Sequence, residues 1–268
     1  MAGTSTKIAF SVKPNVRVRS PAERDALLAG SSFGAVFTDH MVTIQFSGER
    51  GWHDAQLGPR RALELHPAAN AIHYGQAIFE GLKAYRKLDG TLTLFRPDKN
   101  AERFSASAAR MVMPTLPAPL FIEALTLLTG ADRDWVPSAE KGSLYLRPVM
   151  IGTTAGLAVR PSEDYLFVVM ASPVGAYFAG PPRPLCVWIS HAASRAVAGG
   201  TGAAKVAGNY AGAMQAQSEA ARHGCDQTLY VDAIEHRWIE ELGLMNIFFA
   251  FADGTLITPP LAGTILPG

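Results

Sequence analysis

The chain has 268 residues, 48% hydrophobic and 18% charged, which supplies a sizeable core and excludes intrinsic disorder. Its 24 Lys and Arg against 23 Asp and Glu leave a net charge of +1 with no basic block, which argues against nucleic acid or an anionic membrane surface as a partner. Met1 to Val16 is polar and broken by Pro14, no apolar run reaches the roughly 18 residues of a spanning helix, and Cys186 and Cys225 form neither a CxxC pair nor a metal-ligand cluster. A soluble, cytoplasmic protein of a reducing compartment is expected.

In chain order, Val36 to Thr38 and Val42 to Phe46 read as strands, being β-branched and aromatic. Leu92 to Phe95 is a further strand, entered through the Asp89-Gly90 turn. Pro97-Asp98 opens a helix running to Met111, with Ala101, Phe104, Ala108 and Met111 at helical spacing and Pro114 closing it. Pro119 to Asp134 is a second helix, and Ser143 to Met150 and Tyr165 to Met170 are strands. Three prolines and two glycines between Gly175 and Pro184 can continue neither regular element, so a linker is read there. Beyond it come a strand from Leu185 to Ser190, a glycine-rich loop into Lys205, and a helix from about Asn209 to His223 that ends at Gly224. Strands at Gln227 to Asp232, Trp238 to Leu242 and Asn246 to Phe251 follow, then the Asp253-Gly254 turn into Leu256-Ile257. The fold class is α/β (mixed α+β) in two domains, 1–175 and 185–268, joined by 176–184. An apolar Pro/Gly loop at Pro259 to Gly268 leaves sheet edges uncovered, so the intact protein is expected to continue past it.

The stretch Gly199 to Tyr210 invites a phosphate-loop reading, but GxxxxGK[ST] fails because Val206 follows Lys205, and GxGxxG fails as well. What stays open is a choice between an exposed loop lysine and an amine desolvated among small uncharged residues, which suits covalent chemistry with a carbonyl.

A resemblance covering essentially the whole chain bears on that choice. Lys205-Val206-Ala207-Gly208-Asn209-Tyr210 resembles the cofactor-lysine motif of branched-chain amino-acid aminotransferases, fold-type-IV pyridoxal-phosphate enzymes. Glu241-Leu242-Gly243-Leu244-Met245-Asn246 is similar to the family's E-x-G-x-x-N segment, and His73 to Ala84 to its N-terminal active-site segment. Phe95-Arg96-Pro97 with Asn100 and Arg103, Tyr145 to Pro148, Phe37 to Met41 and Pro173 to Phe178 also fit, in family order.

The resemblance implies a two-domain fold-type-IV architecture, pyridoxal 5'-phosphate as cofactor, and amino transfer from Leu, Ile or Val to 2-oxoglutarate by a homodimer. It makes 1–175 the small domain and 185–268 the incomplete cofactor-binding domain, the family's chain running on past Leu-Pro-Gly into a helix that cups the phosphate. Lys205 would hold the cofactor as a Schiff base and then act as general base. Glu241 would face the ring nitrogen, chosen over the adjacent Glu240, read as a solvated carboxylate, because the spacing to Asn246 requires it. Arg103 would bind the phosphate and Tyr210 the ring's phenolic oxygen. Phe33, Tyr74, Phe79, Tyr145 and Tyr177 would wall an apolar pocket, with Val159 supplied by a partner subunit and Arg147 disposing the substrate carboxylate or a loop. Two further readings are a D-amino-acid aminotransferase or aminodeoxychorismate lyase relative, and a catalytically silent fragment that serves as a dimerising or binding module.

Overall fold

A computed structural model describes residues 8–28, 33–175 and 183–268 of the chain. The chain divides into two compact units, Met1–Gly180 and Pro181–Gly268.

In the first unit the elements are β1 (Ser11–Val12), α1 (Pro21–Leu28), β2 (His40–Ser47), β3 (Gly51–Pro59), α2 (Asn70–Tyr74), β4 (Ala77–Phe79), β5 (Leu82–Arg86), β6 (Leu92–Leu94), α3 (Pro97–Arg110), α4 (Ala118–Ala131), β7 (Ser143–Gly152) and β8 (Tyr165–Val174). The strands form one sheet in the order β1-β3-β2-β8-β7-β5-β6, with β4 also paired to β7. All its pairings are antiparallel except the short β1–β3 contact.

Strand β7 shows why this sheet has one buried and one open face. Leu144, Leu146, Pro148 and Met150 point into the core while Tyr145, Arg147 and Val149 alternate outward, the period-2 pattern of a half-covered antiparallel strand. The buried face meets α3 and α4 through Phe104, Phe121 and Phe167, whose ring centroids lie 5.4 to 6.0 Å apart. Removing one such ring costs about 3–5 kcal/mol. Helix α3 begins with Pro97 in its first turn, where a missing N–H leaves no bond unmade, as the sequence predicts. Val36 to Thr38 is not a strand: its one ladder-like bond runs from the Thr38 N–H to the Ala171 carbonyl of β8 at 3.0 Å, and Arg19 and Arg60 donate to the carbonyls of Phe37 and Thr38. Gly51–Pro59, by contrast, is a strand that propensity does not mark. Trp52, Ala55 and Leu57 are interleaved with His53, Asp54 and Gly58, and pairing with β2 creates the strand.

The second unit holds β9 (Val187–Ser190), α5 (Ala207–Arg222), β10 (Gln227–Val231), β11 (Ile239–Leu242), β12 (Phe249–Ala250) and β13 (Leu256–Ile257). Strand β10 is central, parallel to β9 and antiparallel to β11, while β12 and β13 form a separate hairpin. Every residue of β10 is buried, and the Thr228 hydroxyl donates to the Ala216 carbonyl of α5 at 3.0 Å. Helix α5 ends at Arg222 with Gly224 following at φ 71°, the left-handed position that glycine takes without strain.

The two cysteines face each other: Cys186, just before β9, and Cys225, just after α5, have Cα atoms 4.5 Å apart. Spacing along the chain could not show it, since 39 residues separate them and only the parallel β9–β10 pairing brings the ends together. Among the described residues no helix is long and apolar enough to cross a membrane, and no group of three or more His, Cys, Asp or Glu could hold a metal ion.

Candidate active site

In the second unit, Lys205 sits between buried Ala204 and Val206 at the end of the glycine-rich loop, immediately before α5. Asn209 pins this loop to the helix start. Its Oδ1 accepts from the Thr201 hydroxyl at 2.6 Å, and its Nδ2 donates to the carbonyls of Thr201 at 2.8 Å and Ala204 at 3.0 Å. The Lys205 amine then donates to the Tyr210 hydroxyl at 2.8 Å, with Nζ 5.2 Å from that ring's centroid. A single helical turn from the loop end thus presents an amine and a phenol together.

Glu241 stands on β11 and is only 5% exposed. Its Oε2 lies 2.7 Å from the Arg195 guanidinium and accepts the Leu266 N–H at 3.2 Å, while Asn246 Nδ2 reaches Oε1 at 3.5 Å. Burial pushes the Glu241 carboxyl up, against the pull of Arg195, the Leu266 N–H and Lys205, and Glu240 adds a smaller upward push. Glu240 is not the solvated carboxylate expected beside it: the Thr264 hydroxyl donates to it at 2.6 Å, and its Oε2 is buried. The C-terminal loop folds back over β11 and makes Glu240 an anchor.

The loop carrying Lys205 packs against that same C-terminal loop. A Cβ at Gly202 would stand 2.3 Å from the Thr264 carbonyl oxygen and 2.4 Å from Ala196 Cβ, so no larger residue fits. Arg195 donates to the carbonyls of both Gly202 and Thr264 as well as pairing with Glu241. Sequence reading missed Arg195 and Asn209. Asn209 lies within the lysine motif, where its type could have marked it, but Arg195 is linked to Glu241 only by folding.

The first unit gathers four of the expected pocket residues on the open face of the sheet. The Phe33 and Tyr145 rings meet edge to face at 5.1 Å, and Arg147 donates to the Tyr145 hydroxyl at 2.9 Å. The Arg147 guanidinium also lies over the Phe79 ring at 4.7 Å. Gly81 makes room for them, since a Cβ there would be 2.1 Å from the Tyr145 hydroxyl. Tyr74 stands apart, its hydroxyl donating to the Leu157 carbonyl, and Val159 on that same loop is 86% exposed. Tyr177 lies outside the described residues.

Arg103, on α3, presents its fork to Glu80, with Nε–Oε1 at 2.6 Å and Nη2–Oε2 at 2.9 Å. Glu80 is fully buried and also accepts from Asn100 Nδ2 at 2.8 Å and from the Gly81 N–H at 3.1 Å. A cavity of about 590 Å³ elsewhere in this unit, lined by Gln45, Arg50, His53, Arg61, His66 and Asp164 among others, contains none of the expected site residues. The Lys205 amine, the Tyr210 phenol and the buried Glu241 carboxylate all lie outside that cavity.

These groups fit pyridoxal 5'-phosphate by their chemistry. A buried carboxylate suits a cationic ring nitrogen, and an amine seated on a phenol suits reversible attack on an aldehyde. Comparison with known proteins agrees. Residues 77–268 match the model of the class IV amino-transferase family. A probable branched-chain-amino-acid aminotransferase of Streptomyces coelicolor is 53% identical over 260 residues, 97% of this chain and 72% of that protein. The branched-chain-amino-acid aminotransferase of Mycolicibacterium smegmatis is 50% identical over 268 residues, covering 98% and 73%. In three dimensions, the T.th. branched-chain amino acid aminotransferase, solved with pyridoxamine 5'-phosphate, superposes with a TM-score of 0.69 at 26% identity, over 84% of this chain and 70% of that one. The chain belongs to the class IV amino-transferase family, on its branched-chain aminotransferase branch.

Proposed function

We propose that this chain is a pyridoxal-phosphate-dependent transaminase that moves the amino group of leucine, isoleucine or valine to 2-oxoglutarate. The observation that carries the reading is the Lys205 amine, 2.8 Å from the Tyr210 hydroxyl, in the same unit as the buried Glu241. When bound, the cofactor supplies the electron sink that makes the substrate α-hydrogen acidic. Lys205 Nζ, a general base held within reach, would carry the proton from the substrate α-carbon to the carbon that bore the cofactor's aldehyde in one half-reaction, and in the opposite direction in the other. Tyr210 accepts a hydrogen bond from that amine and orients it. Glu241 would face the ring nitrogen and hold a proton there, offering a buried carboxylate that solvent cannot replace. Arg103, oriented by Glu80, presents a guanidinium suited to the phosphate.

Phe33, Phe79 and Tyr145 supply an apolar wall, and burying an aliphatic side chain against it favours Leu, Ile and Val by about 1.5–3 kcal/mol each. Arg147, held between Phe79 and the Tyr145 hydroxyl, offers a cation for the second carboxylate of 2-oxoglutarate or glutamate. Tyr74 and Tyr177 belong to the same reading. So do a homodimer whose partner contributes Val159, and a cytoplasmic location.

Borohydride reduction followed by peptide mapping tests it. A pyridoxyl adduct is expected on Lys205, and Lys205→Ala is expected to lose both the adduct and leucine-to-2-oxoglutarate transfer. An adduct on another lysine would overturn the assignment.

A further inference from the structure

We infer that Arg195 is a positioning residue for Glu241, gripping its carboxylate and locking it to the loop that delivers Lys205. The inference rests on the reading that Glu241 faces the ring nitrogen of the cofactor. The two side chains are 9% and 7% exposed and meet at 2.7 Å, so neither is paired by accident at the surface. The same guanidinium donates to the Gly202 carbonyl at 3.1 Å, three residues before Lys205, and to the Thr264 carbonyl. Three acceptors from three separate stretches of chain therefore converge on one side chain. All three meet the same terminal nitrogen, Nη2, so two backbone carbonyls fix the point from which the positive charge faces the carboxylate.

A second observation separates function from plain structure. The Arg195 Nε is buried with no partner, although a buried donor left unmade costs stability. Buried ion pairs in general contribute little net stability over apolar residues of the same volume. An arginine retained here at that cost is explained by what it does to Glu241. Burial alone pushes that carboxyl toward its neutral form, and Arg195 is the largest influence holding it ionised. The charged groups that act on Glu241 are Arg195, Lys205 and Glu240; the last opposes, so of these Arg195 and Lys205 alone favour the anion. Lys205 is the group that must change its bonding during turnover, which leaves Arg195 as the constant counter-charge. Its grip on Gly202 also keeps the lysine loop from drifting off the carboxylate, where a Cβ at Gly202 could not be tolerated.

The test uses the holoenzyme with Arg195→Met, Arg195→Lys, Glu241→Gln and the double Arg195→Met/Glu241→Gln variant. The readouts are the dissociation constant of pyridoxal 5'-phosphate by equilibrium dialysis and the pH titration of the visible absorption of the bound cofactor. Arg195→Met is expected to weaken cofactor binding about tenfold, roughly 1.4 kcal/mol. It should displace the absorption titration in the same direction as Glu241→Gln. The double variant should be no weaker than Glu241→Gln alone, since the arginine acts through the carboxylate. Arg195→Lys, which keeps the charge on one donor nitrogen, should recover most of the loss. A lowered thermal midpoint with unchanged dissociation constant and titration in Arg195→Met would overturn the inference as a merely structural role. If Arg195→Met does not fold, Arg195→Gln, which is polar but uncharged, takes its place, and native values in that variant would overturn the inference equally. If Glu241→Gln leaves the titration unchanged, the reading beneath fails and the inference with it; if only the Arg195 variants are silent, the inference alone fails.

Discussion

Among the described residues, each unit holds a buried glutamate paired with an arginine, and the two pairs are built in opposite senses. In the first, Glu80 is fully enclosed and takes two bonds from Arg103, one from Asn100 and one from the Gly81 N–H, while the Arg103 side chain is 22% exposed. In the second, both partners are enclosed and the carboxylate is the member that burial pushes toward neutrality. The first arrangement saturates its acid with donors, which on the proposed function serves to aim Arg103. The second clamps the acid that the proposed function sets against the ring nitrogen. A buried Arg–Glu pair therefore does not say which member is the ligand; the exposure of each side chain and the bonds left over do.

The largest expected effect sharpens the second pair. Glu241→Gln should lower kcat by about 10²–10³-fold, roughly 3–4 kcal/mol of barrier, while Glu240→Gln, whose amide oxygen can still accept from Thr264, should stay within a few-fold in steady-state transfer assays. Equal losses would mean that the buried oxygen of Glu240 has a share in the chemistry. The next effect breaks the first pair. Glu80→Ala leaves the Arg103 charge uncompensated and should cost about 3–5 kcal/mol in urea denaturation; a loss under about 1 kcal/mol would mean that solvent reaches Arg103 well enough to replace the carboxylate.

Gly202→Ala should cost about 1–3 kcal/mol by overpacking against the Thr264 carbonyl, and should also weaken cofactor binding. A variant with native stability and cofactor content would show that the two loops of the second unit separate freely. The smallest effect concerns Asp232, which caps the β10–β11 turn by accepting the N–H groups of Ile234, Glu235, Arg237 and Trp238. These bonds hold its carboxyl far below the usual carboxylate range. A depressed folded-state value means the contribution is complete above the unfolded pKa of about 3.9 and is lost as pH falls through the folded value. Asp232→Ala should thus lower the thermal midpoint slightly at neutral pH, with the gap to the native protein closing only in acid. A gap that is constant down to the lowest accessible pH would mean that turn shape, not the ionised carboxylate, is what the residue supplies.

The residues carrying the site divide by how far their partners lie along the chain. Lys205 and Tyr210 are legible together because they are five residues apart across a helix start, where backbone geometry alone sets them side by side. Glu241 and Asn246 share a motif for the same reason. Helix α3, with its opening proline and its apolar spacing, is likewise readable from local chemistry. Arg195 to Glu241, Glu80 to Arg103 and Cys186 to Cys225 are not, being 46, 23 and 39 positions apart with nothing local to pair them. Strand β3 escapes in the same way, since its mixed composition acquires strand form only by pairing with β2.

The mixed α/β class, the lysine motif and the alternation that sends Tyr145 and Arg147 to one face of β7 follow from the residue order, because they depend on backbone periods and neighbours a few residues away. It took the folded chain to make Glu240 an anchor for Thr264, to leave Gly202 no room for a side chain, and to set one guanidinium against Glu241, Gly202 and Thr264 together. Burial and charge pairing are properties of segments that meet in space, and a carboxylate's state is set by the desolvation and counter-charges it meets there.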